Sequence, residues 1–236
     1  MNTKHLLCAL TIAVISTPMH AAENYWRYGL SQDHHSGNDG SFTVSPGIAA
    51  DVKNVTLDKG TQLNIAVGTR LGKRLRVEAE LAHSFANRIG SNGNLVSSTA
   101  TAPVSLEGEV TRTALFANAI FDLGDSAQPG LTPFATFGLG MSQNTISGLT
   151  LIATPNHIDF DDSDTMELAW KAGLGATWRT ANNVLIDFSA NYFDAGEAET
   201  DKTVFSSALG SLAELEKPFV VDIAGMNYGI SVRVPF

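Results

Sequence analysis

The sequence predicts an all-β chain: an eight-stranded antiparallel transmembrane β-barrel with long extracellular loops and short periplasmic turns. Three observations carry that expectation. Apolar residues alternate with polar or small ones at period two over segments of about ten residues, the pattern of a strand with two unlike faces. Charged residues occupy the polar face of several of these segments. A secretory leader precedes them all.

The leader spans 1–22. Lys4 supplies its charge, Leu6 to Ile15 its apolar stretch, and Ser16, Thr17, Ala21 and Ala22 its small residues, with cleavage expected after Ala21 or Ala22. The expected mature chain is a single barrel domain, 23–236. The one cysteine, Cys8, lies in the leader, so the mature chain has no disulfide, thiol nucleophile or cysteine-bound metal. Without Lys4, 14 basic residues face 24 acidic ones, a net charge of −10 that argues against nucleic acid as a partner. At 44% hydrophobic and 17% charged, the chain is too apolar for disorder. Outside the leader no run approaches about 18 apolar residues, so no membrane helix is expected.

The segments follow in chain order. Residues 24–32 set Trp26, Tyr28 and Leu30 against Arg27, Gly29 and Ser31; they are the preferred first strand. Phe42–Val52 also alternates and is the alternative, but it carries Pro46 in its interior, and a closed barrel has no edge to accept a proline. Next, 61–71 sets Leu63, Ile65, Val67 and Leu71 against Gln62, Asn64, Gly68 and Arg70. In 74–88, Leu75, Val77, Ala79, Leu81 and Phe85 oppose Arg76, Glu78, Glu80 and Ser84. Segments 109–123 and 131–144 alternate more loosely, with Arg112, Asn118 and Asp122 opposite Leu115, Ala117, Phe121 and Leu123. In 165–179, Met166, Leu168, Trp170, Leu174 and Trp178 oppose Glu167, Lys171, Gly173, Gly175 and Arg179. In 184–194, Ile186, Phe188, Ala190 and Tyr192 oppose Asp187, Ser189 and Asn191. The last segment sets Met226, Tyr228, Ile230, Val232, Val234 and Phe236 against Asn227, Gly229, Ser231 and Arg233. Short connections at 72–73, 124–130 and 180–183 alternate with long polar ones at 33–60, 89–107, 147–164 and 198–218.

Alternation alone fits a soluble barrel as well as a membrane one. The leader and the aromatic residues favour the membrane. Trp26, Phe121, Trp178 and Phe236 lie near the short-turn ends. Phe85, Trp170, Tyr192 and Tyr228 lie further along their strands, by about 20–25 Å on a tilted strand, the spacing of two interfacial aromatic girdles.

The carboxy-terminal strand Tyr228-Gly-Ile-Ser-Val-Arg-Val-Pro-Phe236 resembles the terminal assembly signal of outer-membrane β-barrels, with Tyr228 and Phe236 as its aromatic positions. The stretches Thr132-Pro-Phe-Ala-Thr-Phe-Gly-Leu-Gly140, Ala169-Trp-Lys-Ala-Gly-Leu-Gly175 and Tyr192-Phe-Asp-Ala-Gly196 are similar to the small outer-membrane β-barrel family of OmpA/OmpX, OmpW and opacity-type surface antigens. The resemblance covers nearly the whole mature chain. It implies the bacterial outer membrane as location, with lipid, lipopolysaccharide and the barrel assembly machinery as partners, and an extracellular ligand taken through the loops. It implies a monomer without cofactor or catalytic activity: a surface antigen or adhesion platform that also serves envelope integrity. A narrow small-solute channel is the alternative, and a membrane-embedded lipid enzyme a distant third.

The inward set is Arg27, Arg70, Arg76, Arg112, Lys171, Arg179 and Arg233 with Glu78, Glu80, Asp122, Glu167 and Asp187. An eight-stranded barrel is only wide enough for side chains to fill it, so a charge-paired plug is expected. Glu78 and Glu80 are expected to meet Arg76, Arg70 and Arg112, and Asp187 to meet Arg179. Glu167 and Lys171 point the same way at different depths. The four long connections hold 13 acidic and 4 basic residues, an acidic exterior. Asp159, Asp161, Asp162 and Asp164 lack the spacing of a calcium loop. Asp33, His34, His35 and Asp39 are expected in a loop, where convergence on a metal is not assured. His34-x-Ser36 superficially resembles the His-x-Ser pair of outer-membrane lipid A deacylases, but falls in that loop. His83 lies on the lipid face beside Phe85. Phe205, Leu209, Leu212 and Leu215 recur near helical spacing within 203–216 and are expected to pack on Leu149, Leu151 and Ile152 as a cap.

Overall fold

The computed structural model describes residues 24–36, 38–45, 48–97, 101–124, 130–182 and 184–236. Segment 1–22, expected as a leader, lies outside the described residues. The strands are β1 (Asn24–His35), β2 (Asn38–Ser45), β3 (Ile48–Leu57), β4 (Gly60–Leu71), β5 (Leu75–Ser97), β6 (Thr101–Asp122), β7 (Gly130–Ala153), β8 (Asn156–Phe160), β9 (Ser163–Arg179), β10 (Leu185–Glu199), β11 (Thr203–Ser206), β12 (Ser211–Glu214) and β13 (Lys217–Pro235). Eight of them close a ring of antiparallel neighbours in the order β1, β4, β5, β6, β7, β9, β10, β13 and back to β1. The first-to-last pairing, Tyr25 with Pro235 through His35 with Gly225, removes any open edge at this level. β1 is therefore the first barrel strand. Segment 42–52, the alternative, is divided between β2 and β3.

The stretches expected as long loops are largely strand. β1 runs to His35; β5 and β6 continue to Ser97 and from Thr101; β7 reaches Ala153. Above the ring, β2 pairs β13 and β3 pairs β5, while β8 adds to β7 and the β11–β12 hairpin adds to β8. Segment 203–216 forms this hairpin, not a helix, because Val204 and Leu215 already bury their side chains at strand parity. Polar composition misled the sequence reading: these segments are polar on the side that meets water, not along the whole backbone.

Two levels have opposite polarity. In the lower level the large apolar side chains face outward, with Leu131 67% and Leu174 64% exposed, while Arg76 and Asp122 are buried inside at 1% and 0%. Such an exterior is far larger than a soluble monomer shows and is the belt of a lipid-embedded barrel. In the upper level the inside is apolar. Leu106, Ile146, Leu149, Leu151, Phe219 and Ile223 are each less than 2% exposed, and outward positions such as Arg88, Glu109 and Asp222 are polar. On β5, β7 and β10 the number parity of the inward side chains changes at an extra residue between Ser84 and Asn87, at Gly148, and between Asp194 and Glu197; on β7 and β10 the inside is already apolar before it, at Ile146, Phe193 and Ala195. A bulge shifts the alternation by one, so residues of the opposite number parity, such as Ile89 and Ala198, take the inward positions above it. Gly148 (φ +58°) and Gly196 (φ +71°) supply the left-handed backbone for two of these bulges.

The lipid belt has a direct test. Nitroxide labels at Leu174 and Phe188 should report lipid contact, and labels at Ser189 and Ser231 should not. Gly175 is unsuitable for an inward label, because a Cβ there would lie 2.2 Å from the Phe134 ring. Arginine at Leu174 should lower folding stability by about 2–4 kcal/mol in a bilayer. Lipid contact from the serines instead would place the polar face outside.

Candidate functional site

The barrel interior is the densest collection of polar chemistry in the molecule, and it is stacked in layers. At the short-turn end Asp122 of β6 accepts hydrogen bonds from Arg70 Nη1 (3.0 Å) on β4 and from Arg76 Nε and Nη2 (3.1 and 2.8 Å) on β5. Arg70 and Arg76 stand directly opposite each other in the β4–β5 register. Like charges in that position repel, and the shared carboxylate offsets it. Across the lumen, Arg233 Nη2 donates to Asp187 Oδ1 (3.0 Å) and to Thr177 Oγ1 (2.9 Å), and Thr177 donates to Asp187 at 2.6 Å. Arg76 Nη1 lies 3.9 Å from Asp187 Oδ2 and joins the two clusters.

The middle layer centres on two glutamates of β5. Glu78 accepts from the Tyr25 hydroxyl (2.8 Å) and from Arg27 Nε and Nη2 (3.0 and 2.7 Å). Glu80 accepts from Arg27 Nη2, from Asn118 Nδ2 and, with both oxygens, from Lys171 Nζ, each at 2.7 Å. The free space left among the side chains of this layer and those just above it is about 50 Å³, room for a few waters, since each needs about 10–15 Å³ of such space. Above it, Asp33 accepts from Arg112 Nη2 (2.8 Å), Ser84 Oγ (3.1 Å) and Asn227 Nδ2 (2.6 Å).

Each of four lumenal cations also rests on an aromatic ring. Arg76 lies over Phe134 at 5.1 Å, Arg112 over Phe193 at 4.2 Å, Lys171 over Phe116 at 4.6 Å and Arg233 over Tyr25 at 5.4 Å. A cation between a carboxylate and a ring face keeps partners on two sides after losing water. The sequence reading assigned aromatic residues to the lipid face and missed all four of these rings. For three of them a signal was present: Tyr25, Phe116 and Phe193 share the parity of a charged neighbour two to six residues away on their strands, whereas β7, which carries Phe134, has no charged residue.

Several expected pairings are replaced. Glu78 and Glu80 both meet Arg27, on a strand that is not adjacent, and Glu80 also meets Lys171, across the lumen, rather than Arg70 and Arg112. Arg112 is taken by Asp33, which the sequence reading left in a loop. Asp187 is taken by Arg233 and Thr177, not by Arg179, which sits at the turn end in register with Leu185 and Gly130. Glu167 makes no ion pair among the described residues and lies against Gly196, where a Cβ would come within 2.5 Å of its own. Neighbour-based pairing failed because long side chains cross a narrow lumen. Arg27 and Arg233 face each other in register and must turn apart to different acids.

The aromatic set occupies both heights on the outside. Trp26 meets Phe236 at 6.0 Å near the turn end, with Phe121 and Trp178 exposed at the same level. Trp170 meets Tyr192 at 5.6 Å near the outer end, with Phe85 and Tyr228 exposed beside them. His34 lies against Tyr228 on the outside, whereas Asp33 and His35 point inward. They do not converge, and no group of three potential metal ligands forms among the described residues. Asp39 has no described side chain. His83 bonds Thr113 at 2.9 Å and edges onto Phe85. Further out, Leu149 and Leu151 are buried in the apolar cap with Val204 and Leu215, while Phe205, Leu209 and Leu212 point away from it. On the acidic rim, desolvation and then Asp222, Glu199 and Glu167 raise the Glu197 carboxyl above its usual range.

Comparison with known proteins gives one consistent answer. A family profile described as the outer membrane protein beta-barrel domain matches residues 7–210. Among solved structures the chain is similar to OprG of Pseudomonas aeruginosa, with 15% identity and a TM-score of 0.55, covering 91% of this chain and 97% of that one. It is also similar to the outer membrane protease OmpT of Escherichia coli, with 7% identity and a TM-score of 0.57, covering 94% and 100%. Neisserial surface protein A matches at 14% identity and a TM-score of 0.48, covering 92% and 100%. At these identities the likeness is one of fold. A search of curated proteins finds no match.

The charge network predicts an asymmetry between two glutamates. Glu80→Gln removes the negative charge that neutralises Arg27 and Lys171 and replaces one acceptor oxygen by a donor, and should lower stability by about 3–5 kcal/mol. Glu167→Gln should change it by less than about 1 kcal/mol. Denaturant unfolding in micelles, read by loss of the heat-modifiable gel shift, checks both. Equal effects would mean that Glu80 is not the centre of the network.

Proposed function

This chain belongs to the outer-membrane protein β-barrel domain family of the bacterial outer membrane, and from that premise we propose that it is a non-catalytic surface protein whose working part is its extracellular end. One observation carries the proposal: the lumen is filled twice. Ion pairs and cation–ring contacts occupy it within the lipid belt, and the apolar core around Leu151 and Phe219 closes it above. A solute entering from outside meets hydrocarbon first and paired charge next, and either layer opposes its passage. The chemistry left for contact is on the outer strands and their acidic rim, an antigen or adhesion platform held rigidly by the barrel.

Lipid and lipopolysaccharide cover the belt between the two aromatic girdles. The closing strand ends on Phe236, whose N–H donates to the Asn24 carbonyl at 3.0 Å and whose ring meets Trp26. Tyr228 and Phe236 stand on the lipid side of that strand, where the barrel assembly machinery reads them in this proposal.

Two measurements test these readings. Purified protein in a planar bilayer should show little steady conductance; a large, stable current would replace the closed platform with a small-solute channel. Deleting Phe236 should cut the yield of folded barrel several-fold while synthesis continues, and an unchanged yield would mean that assembly does not use this residue.

A further inference from the structure

We propose that the open edge of β12, with the apolar side chains beside it, docks an extended basic polypeptide segment as the next strand of the sheet. The proposal rests on the reading of the outer end as a contact platform and names its partner. The upper sheet runs β7, β8, β11, β12 and stops; among the described residues β12 pairs only with β11. The Leu215 N–H bonds the Lys202 carbonyl at 2.8 Å and sets the alternation of the hairpin. The bonded pairs are then Val204 with Ala213 and Ser206 with Ser211, so the main-chain groups of Leu212 and Glu214 turn outward to the edge. An unpaired row of this kind is a template for strand addition.

The side chains beside the edge supply a grip. Phe205 and Leu212 stand directly opposite each other and share one face of the hairpin, with Leu209 at its tip. They are 39%, 68% and 69% exposed. The other face is anchored, since Val204 is buried in the apolar cap. The hairpin hangs from β8, which joins β7 beyond the last β7–β9 pair, Ile146 with Ser163. It therefore lies past the outer girdle, where lipid does not cover it.

Charge selects the occupant. Asp159 is in register with Phe205 and flanks it on the same face, and Glu214 sits on the free edge. Residues 198–218 hold four acidic side chains against Lys202 and Lys217. A second copy brings the same negative charge and is repelled, whereas a strand alternating apolar and basic residues matches both features. The edge is only four residues long, so main-chain bonds and the apolar grip must act together.

The test uses the full folded chain in lipid nanodiscs and a short peptide of alternating lysine and valine. The peptide should bind, slow hydrogen exchange at the amides of Leu212 and Glu214, and weaken with added salt. Leu209→Ser with Leu212→Ser should lower its affinity about tenfold, and both positions are exposed, so the gel shift of the folded barrel should be unchanged. A backbone N-methylated peptide of the same sequence should give no protection, a comparison that needs no variant. Equal binding of the methylated peptide, binding without protection at these amides, or a dimer abolished by the double variant would overturn the proposal. A companion measurement separates the two readings. Leu209→Cys on intact cells should react with an impermeant thiol reagent. Absence of reaction would sink the platform itself, while reaction without peptide binding would sink only the docked strand.

Discussion

Glu80 ties four strands together. It stands on β5 and holds Arg27 of β1, Asn118 of β6 and Lys171 of β9, the last reaching across the lumen. A barrel of this width leaves little room to hydrate a charge, so each cation brought inside must find an acid within reach or cost several kcal/mol. Around this carboxylate the other contacts fall into place. Arg27, once held there, also satisfies Glu78, and Tyr25 completes Glu78 from the same strand. Arg233, excluded from Arg27 by like charge, turns to Asp187. Asp122 collects Arg70 and Arg76 at the turn end. The lumen acts as a polar core, with rings in place of the hydration that the cations lose.

The same backbone then builds a second core of the opposite kind. Once the strands leave the lipid belt, water surrounds them, and the hydrophobic effect again favours apolar side chains inside. The bulges on β5, β7 and β10 keep apolar residues on the inside as these strands lengthen, because one extra residue changes which number parity faces inward. β6 and β13 need no bulge: their inward parity continues while composition changes, from Arg233, Ser231 and Asn227 to Ile223, Val221 and Phe219. The closed upper core is what makes the outer strands rigid. On the proposed reading, a surface presented on it would keep its shape on contact and lose little conformational entropy.

Which features were legible follows from the range of the interaction that fixes them. Period-two alternation is local, so strand existence, face assignment and the positions of Trp26, Trp170, Trp178 and Tyr228 could be taken from sequence. The change of parity near Met226 was legible as well, since the apolar set moves from odd to even numbers there, but polar composition drew attention away from the upper strands. Asp33 was misplaced for the same reason: a charged residue near two histidines and a glycine suggests a loop, yet it is the acid that Arg112 requires.

By itself the sequence determined that these strands have one face for lipid and one for charge, that the first and last must meet, and that the interior holds nearly balanced acids and bases. Those are properties of alternation, length and composition. Only the tertiary structure decided which acid meets which base, which rings turn inward beneath the cations, and where the barrel exchanges a polar core for an apolar one. Partners such as Glu80 and Lys171 are 91 residues apart in the chain, and their meeting depends on strand stagger and closure. No local pattern encodes that distance; the ring must be closed before the charges can choose.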